Sequence, residues 1–162
     1  MYKENFNYNK SFLVYRIGDD LFASDSDQVR NILDTSYISK NSPQHSPVIN
    51  INGNEIPLLD IAQKMDISNP TQINPCLIII DFNNNESEMI GIIVDEVKAL
   101  IDIQNENFVE VPRIGSLYRE EYINRIAKIN EEIIRILDLK NIVNREFKIL
   151  KNSHMYQKQI VL

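Results

Sequence analysis

A chain of 162 residues with 43% hydrophobic side chains suits one domain, or two small subdomains on a common core, and is too apolar for wholesale disorder. Its formal net charge of −6 argues against sequence-independent nucleic-acid binding, because phosphate contacts need clustered Lys and Arg. Cys76 is the only cysteine, which excludes an intrachain disulfide framework, and no run approaches the roughly 20 apolar residues of a membrane helix. Residues 1–10 are polar and lack the apolar centre of a signal peptide, so they read as a mobile lead-in to a cytosolic protein without direct membrane insertion.

Heavy use of isoleucine and asparagine leans the chain towards strands and turns. Phe12 to Ile17 and Leu21 to Ser24 read as a hairpin around Gly18-Asp19-Asp20. Val29, Ile32 and Leu33 then recur at helical spacing, which predicts a turn or two of helix. Residues 34–47 are a Ser-, Asn- and Pro-rich loop. Asn52-Gly53 between apolar runs is a strong hairpin signal, with Pro57 marking an edge position or a bulge in the second strand. A helical turn follows at residues 62–67, then a connector through Pro75. "CLIIIDF" and "EMIGIIV" are strands joined by "NNNES", with "VKALIDI" and "FVEV" as further strands before an irregular segment through Pro112 and Gly115. A last hairpin turns at Asn130-Glu131-Glu132, and residues 144–162 form a basic tail or helix.

The chain repeats itself. "LFASDSDQVRNIL" from Leu21 matches "MIGIIVDEVKALI" from Met89 without a gap, pairing Asp27 with Asp95, Val29 with Val97, Arg30 with Lys98 and Ile32 with Leu100. "INGNEIPLLDI" from Ile51 matches "INEEIIRILDL" from Ile129, pairing Asn52 with Asn130 and Asp60 with Asp138. Two matches in the same order indicate duplication, hence two like β units. Asp60 and Asp138 each stand where a strand stops, as caps for short helices. Ile32 and Leu100 read as core, with Val29 and Val97 leaning the same way.

Nothing in the sequence assembles a catalytic centre. His45 and His154 lie far apart in surface-like segments, and two histidines with one cysteine do not make metal-ligand spacing. Cys76 opens an apolar strand, where an inert thiol is the usual state. Asp81, Asp95 and Asp102 are acids at strand ends and turns, and the glycines form neither a dinucleotide fingerprint nor a phosphate loop. The expectation is a binding module, not an enzyme, with no cofactor, metal or small-molecule substrate.

"FLVYRIGDDLFA", "QVRNIL", "VININGNEIPLLDI", "IGIIVDEV" and "EEIIRILDLKNIV", in this order over residues 11–143, resemble the CheW-like domain family. The resemblance implies a mainly β fold of two intertwined five-stranded small β-barrel subdomains on a shared hydrophobic core, with short helices. It also implies a chemotaxis adaptor that couples methyl-accepting receptors to the regulatory domain of the histidine kinase CheA. By the same resemblance, Val29, Asn31, Asn52 and Gly53 fall at the receptor-binding groove, and Ile92, Val94 and Val97 on the kinase-binding unit. The family's arginine is Asn52 here, its acid is Asn31, and "DLRxxxG" becomes "DIAQKMD", so an alternative is a diverged scaffold that serves another kinase system or lacks normal receptor binding. Losing an Arg and its acid together is consistent with an Asn31–Asn52 hydrogen bond in their place.

Overall fold

A computed structural model describes residues 10–34, 48–67, 75–81, 89–110 and 122–145. Strands β1 (Lys10–Ile17) and β2 (Asp20–Asp25) form the first hairpin, and a 3-10 turn at Ser26–Gln28 leads into β3 (Val29–Asp34). β4 (Val48–Ile51) and β5 (Asn54–Leu59) form the second hairpin, closed by a short helix at Ile61–Lys64. β6 (Cys76–Asp81), β7 (Met89–Val94) and β8 (Glu96–Ile103) follow, with a bend at Asp95 between the last two. A 3-10 turn at Asn105–Asn107 precedes β9, which is only Phe108–Val109; β10 (Ile123–Ile129), β11 (Glu132–Leu137) and a helix over 139–145 complete the described chain. The expected loop at 35–47, the "NNNES" turn, Pro112 to Gly115, His45, His154 and the tail beyond 145 lie outside the described residues.

The fold class is the expected one: mainly β, in two like sheets. One has the order β8-β1-β2-β11-β10-β9 and the other β3-β6-β7-β5-β4. The duplication explains why. Each sheet takes a central hairpin from one half of the chain (β1–β2 or β6–β7). From the other half it takes an edge strand (β8 or β3) and a second hairpin (β10–β11 or β4–β5). The halves join through antiparallel ladders of the edge strands, β8 on β1 and β3 on β6, and through short parallel ladders in matching register: Ile136 lies opposite Ala23 in one sheet, and Leu58 opposite Gly91 in the other. The small residue is required at the second crossing, since a Cβ on Gly91 would come within 2.8 Å of Leu58 Cδ2 and 3.0 Å of Leu77 Cδ1.

The central strands are buried on both faces, which is why "CLIIID" is a continuous apolar run. Between the sheets lies the largest core. Leu13, Tyr15, Ile17 and Phe22 from one sheet meet Ile78, Ile80, Ile90, Ile92 and Val94 from the other, with Ile61, Met65 and Ile142 supplied by the helices. Alternate residues point the opposite way into smaller cores of their own sheet, Phe12, Val14, Ala23 and Ile134 in one and Ile49, Ile56, Leu77 and Ile79 in the other. Tyr15 is fully buried and its hydroxyl shares a 2.7 Å hydrogen bond with the buried Ser24 Oγ. Burial raises the Tyr15 pKa well above the ordinary phenol value, against a smaller lowering by that bond.

Both strand-terminal acids are caps. Asp60 Oδ1 accepts from Gln63 N–H and Asp138 Oδ1 from Asn141 N–H, each at 3.1 Å, and the backbone carbonyl of each acid accepts the N–H four residues on. Pro57 is neither on an edge strand nor in a bulge, contrary to expectation. It lies opposite Val48 where β5 ends its pairing with β4 and begins, at Leu58, its pairing with β7. A missing N–H is tolerated where a strand exchanges partners.

The segment read as helical from Val29, Ile32 and Leu33 is instead strand β3, and the reason is a β-bulge. Val29 lies opposite Ile80 and Asn31 opposite Ile79, so Arg30 is the extra residue. The bulge puts Val29 and Ile32, three apart, on the same face, which imitates helical spacing. β8 has the same bulge at Lys98, between Val97 opposite Tyr15 and Ala99 opposite Val14.

The turns of the two matched hairpins also agree, with φ of +51° and +84° at Asn52-Gly53 and +49° and +67° at Asn130-Glu131. Both central positions of such a turn are left-handed, which suits Asn and Gly and strains a Glu. The substitution Glu131→Gly is therefore expected to stabilise the fold by about 1 kcal/mol in urea denaturation, with the slope m unchanged.

Candidate functional site

The surface features that stand out are the two bulged edge strands, β3 and β8. Beyond each bulge the core-facing side runs past the cover of the opposite sheet, leaving Ile32 46% and Leu100 64% exposed. Neither is core, contrary to the sequence expectation; each sits opposite a buried residue, Ile78 or Leu13, but on the outermost described strand of its sheet. Val29 and Val97, the equivalent residues before the bulges, are half-buried against the inter-sheet core. The signal for exposure was already present in the repeat, since Arg30 and Lys98 at matched positions mark where the alternation slips.

The expected groove residues are in part brought together. Val29, Asn31 and Ile32 share β3, with Asn31 exposed. Asn52 and Gly53 are exposed in the β4–β5 turn, and no hydrogen bond joins Asn31 to Asn52. The expected amide pair is thus not formed: β6, β7 and β5 lie between β3 and β4 in the sheet order. The turn is held instead by Gly53 N–H donating to Asn50 Oδ1 at 3.0 Å. Of the residues assigned to the kinase-binding unit, Ile92 and Val94 are fully buried in the inter-sheet core and Val97 is half-buried. A partner reaches this unit only through its exposed positions, because strand β7 is central and covered on both faces.

The charged groups are tied into the frame and do not converge. Asp81 is buried and accepts from the Arg30 guanidinium at 2.7 Å, pinning the bulge residue of β3 to β6. Asp95 is buried in the second half of the chain and accepts from the Gly18 N–H of the first hairpin at 2.7 Å, while its own N–H donates to the Arg16 carbonyl at 3.0 Å. Arg16 lies 3.7 Å from Asp95 and 3.5 Å from Glu96. Asp102 accepts from Ser11 Oγ. Asp27, the sequence match of Asp95, is exposed and does none of this; its N–H donates to Asp25 Oδ1. Among the described residues no three His, Cys, Asp or Glu side chains are grouped to hold a metal ion.

Gly18 is held closely in this arrangement: its φ is +62°, and a Cβ would meet Ile67 Cγ2 at 2.6 Å. Removing its acceptor with Asp95→Ala leaves a buried N–H unsatisfied and is expected to cost about 1–3 kcal/mol in denaturant unfolding. Asp95→Asn keeps an oxygen facing Gly18 and is expected to recover most of that loss; equal losses for the two variants would assign the effect to charge. The exposed positions behave differently. Asn31→Glu is expected to move stability by no more than about 0.5 kcal/mol in the same measurement, whereas Asn52→Arg, at a left-handed turn position, is expected to cost up to about 1 kcal/mol.

Comparison with known proteins agrees with this geometry. The family model of the CheW-like domain matches residues 11–147. The "Probable chemotaxis protein CheW" of Rhizobium etli is 24% identical over 139 residues, covering 82% of this chain and 86% of that protein. The "Chemotaxis protein CheW" of Rhizobium meliloti is 22% identical over 147 residues, 86% and 91% of the two chains. The crystal structure of the scaffolding protein TtCheW from Thermoanaerobacter tengcongensis has the same fold, with a TM-score of 0.69 and 21% identity over 86% of this chain and 90% of that one. With a family match that spans nearly all of its two sheets, the chain belongs to the CheW-like domain family.

Proposed function

We propose that the chain is a non-enzymatic adaptor of a chemotaxis signalling array, coupling receptors to a histidine kinase of the CheA type in the cytoplasm. The observation that carries this reading is the matched pair of edge strands. β3 and β8 each present an exposed aliphatic residue, Ile32 or Leu100, beside a half-buried valine, on a frame whose acids are engaged in holding the chain together. Exposed aliphatic side chains over a rigid core are what a protein partner grips, and they do nothing for bond chemistry. The functional domain in this reading is 11–143, with 1–10 and 144–162 as flanks. No described helix is long and apolar enough to cross a membrane, in keeping with a cytoplasmic place of action.

Receptor contact is assigned to Val29, Asn31 and Ile32 on β3, with Asn52 and Gly53 at the β4–β5 turn on the opposite edge of the same sheet. Kinase contact is assigned to the second unit, where Val97 is reachable and Ile92 and Val94 support the surface from within. The second reading, a diverged scaffold with weakened receptor coupling, is favoured by one observation. Asn31 and Asn52 are exposed and neutral where the family carries an acid and an arginine, so a charge-reading receptor finds less to grip.

Titration calorimetry with the regulatory domain of the cognate kinase is expected to give micromolar affinity, about −8 kcal/mol. Val109→Asp, on the exposed edge of the second unit, is expected to weaken that binding by about tenfold or more while sparing a receptor tip. Ile32→Glu is expected to do the reverse. No complex with the kinase domain under any condition would overturn the adaptor reading, and kinase binding without receptor binding would select the diverged scaffold.

A further inference from the structure

The six-stranded sheet curls around its own small core but does not close. Among the described residues, β8 is hydrogen-bonded to β1 alone, and β9 covers β10 only at Ile126 and Ala127, so β10 from Lys128 onward is paired with β11 alone. Between these two open edges, among the described residues, is a cavity of about 740 Å³ that reaches from Lys98–Ile101 of β8 to Ile129 and the β10–β11 hairpin. Its floor is aliphatic, formed by Val14, Leu21, Ile101, Ile129 and Ile134. Ala99 contributes only a methyl group and is exposed, so nothing fills the slot from the β8 side.

Two unpaired strand edges over an aliphatic floor have a specific complement. A strand adds to an edge through main-chain hydrogen bonds about 4.8 Å away, and its alternate side chains fall on one face. Four residues of such a strand span about 13 Å, the length of the Lys98–Ile101 edge. The mouth carries its own charge preference. Asp19 and Asp20 in the first turn and Glu131 and Glu132 in the last line it, as do Arg16, Lys98 and Arg135. Arg135 is 3.6 Å from Asp20, Lys128 3.7 Å from Glu131 and Lys98 3.6 Å from Glu96, so the nearby cations already lie against acids. Of the four acids, Asp19 and Glu132 are exposed and are in none of these ion pairs.

We infer that this seam is a strand-acceptor slot, which takes an extended segment of a partner protein by backbone pairing along β8. The segment carries aliphatic side chains at alternate positions and a lysine or arginine at the end that meets the turns at 18–20 and 130–132. The slot is separate from the Ile32 side of the molecule and does not depend on the adaptor reading, so either can fail alone.

The test uses the full chain, isotopically labelled, titrated with a synthetic peptide of alternating valine and threonine that ends in two lysines. Amide shifts and slowed hydrogen exchange are expected at Lys98–Ile101 and Lys128–Ile129. The same peptide ending in two glutamates is expected to bind about tenfold more weakly at low salt, with the difference shrinking as salt is added. Ala99→Trp, which fills the slot from an exposed position, is expected to weaken binding of the lysine peptide at least tenfold with an unchanged melting temperature. Lys140→Ala, remote from the slot, is expected to leave binding as it was. Four results would overturn the inference: shifts confined to another surface, no shift with either peptide, equal binding by the Ala99→Trp chain, or slot amides already protected in the chain alone. The last, if it grew with protein concentration, would assign the slot to a second copy.

Discussion

Two short parallel ladders, Leu21–Ala23 with Ile134–Ile136 and Leu58–Leu59 with Gly91–Ile92, hold each half of the chain inside the sheet of the other. Neither half owns a complete sheet, because each central hairpin is flanked on both sides by strands from elsewhere. The constraint is steric as well as topological: the crossings sit at the buried Ala23 and at Gly91, where an added Cβ would press on Leu58 and Leu77. Both sheets, and so both halves of the chain, contribute to the one inter-sheet core. The buried Asp95 carboxylate adds to the same lock, since it ties the bend after β7 to the turn of the first hairpin.

The paired bulges decide what the outside looks like. In an unbroken strand Val29 and Ile32 would face opposite ways, one buried and one in solvent. One extra residue, Arg30, turns both to the same face, and the edge position then leaves the second of them uncovered. The guanidinium of Arg30 holds the bulge in place through Asp81, whereas at the matched site Lys98 reaches Glu96 on its own strand. The duplicated halves thus share a backbone device and fix it with different side chains. An exposed aliphatic residue is retained on both edge strands, in the setting where solvent-facing apolar area most needs a partner.

This arrangement suits a protein whose work is to be held by others. Its buried acids serve the frame, and the phenol of Tyr15 is kept neutral by burial and satisfied by Ser24. Among the described residues what remains is edge: strands paired on one side, aliphatic side chains beside them, and an unclosed seam in the six-stranded sheet. In the proposed reading the receptor and kinase contacts are separate, because β3 and β9 are edge strands of different sheets. A scaffold gains specificity from such separation, while a single shared patch would force its partners to exclude one another.

How much of this was legible in the chain follows from the range of each interaction. The hairpins, the two helix caps at Asp60 and Asp138, the turns at Asn52 and Asn130 and the duplication depend on residues a few positions apart, so local chemistry alone determined them. The two-unit β class followed from the same repeats, and the motif order added the family. The exchange of hairpins between halves depends on pairings 113 residues apart at Leu21–Ile134 and 33 apart at Leu58–Gly91, which no local pattern encodes. Burial of Ile92 and Val94, exposure of Ile32 and Leu100, the switch of partners at Pro57 and the absence of an Asn31–Asn52 bond were likewise decided by which strand became a neighbour. A side chain's face is set by its own strand, but whether that face is covered is set by another part of the chain.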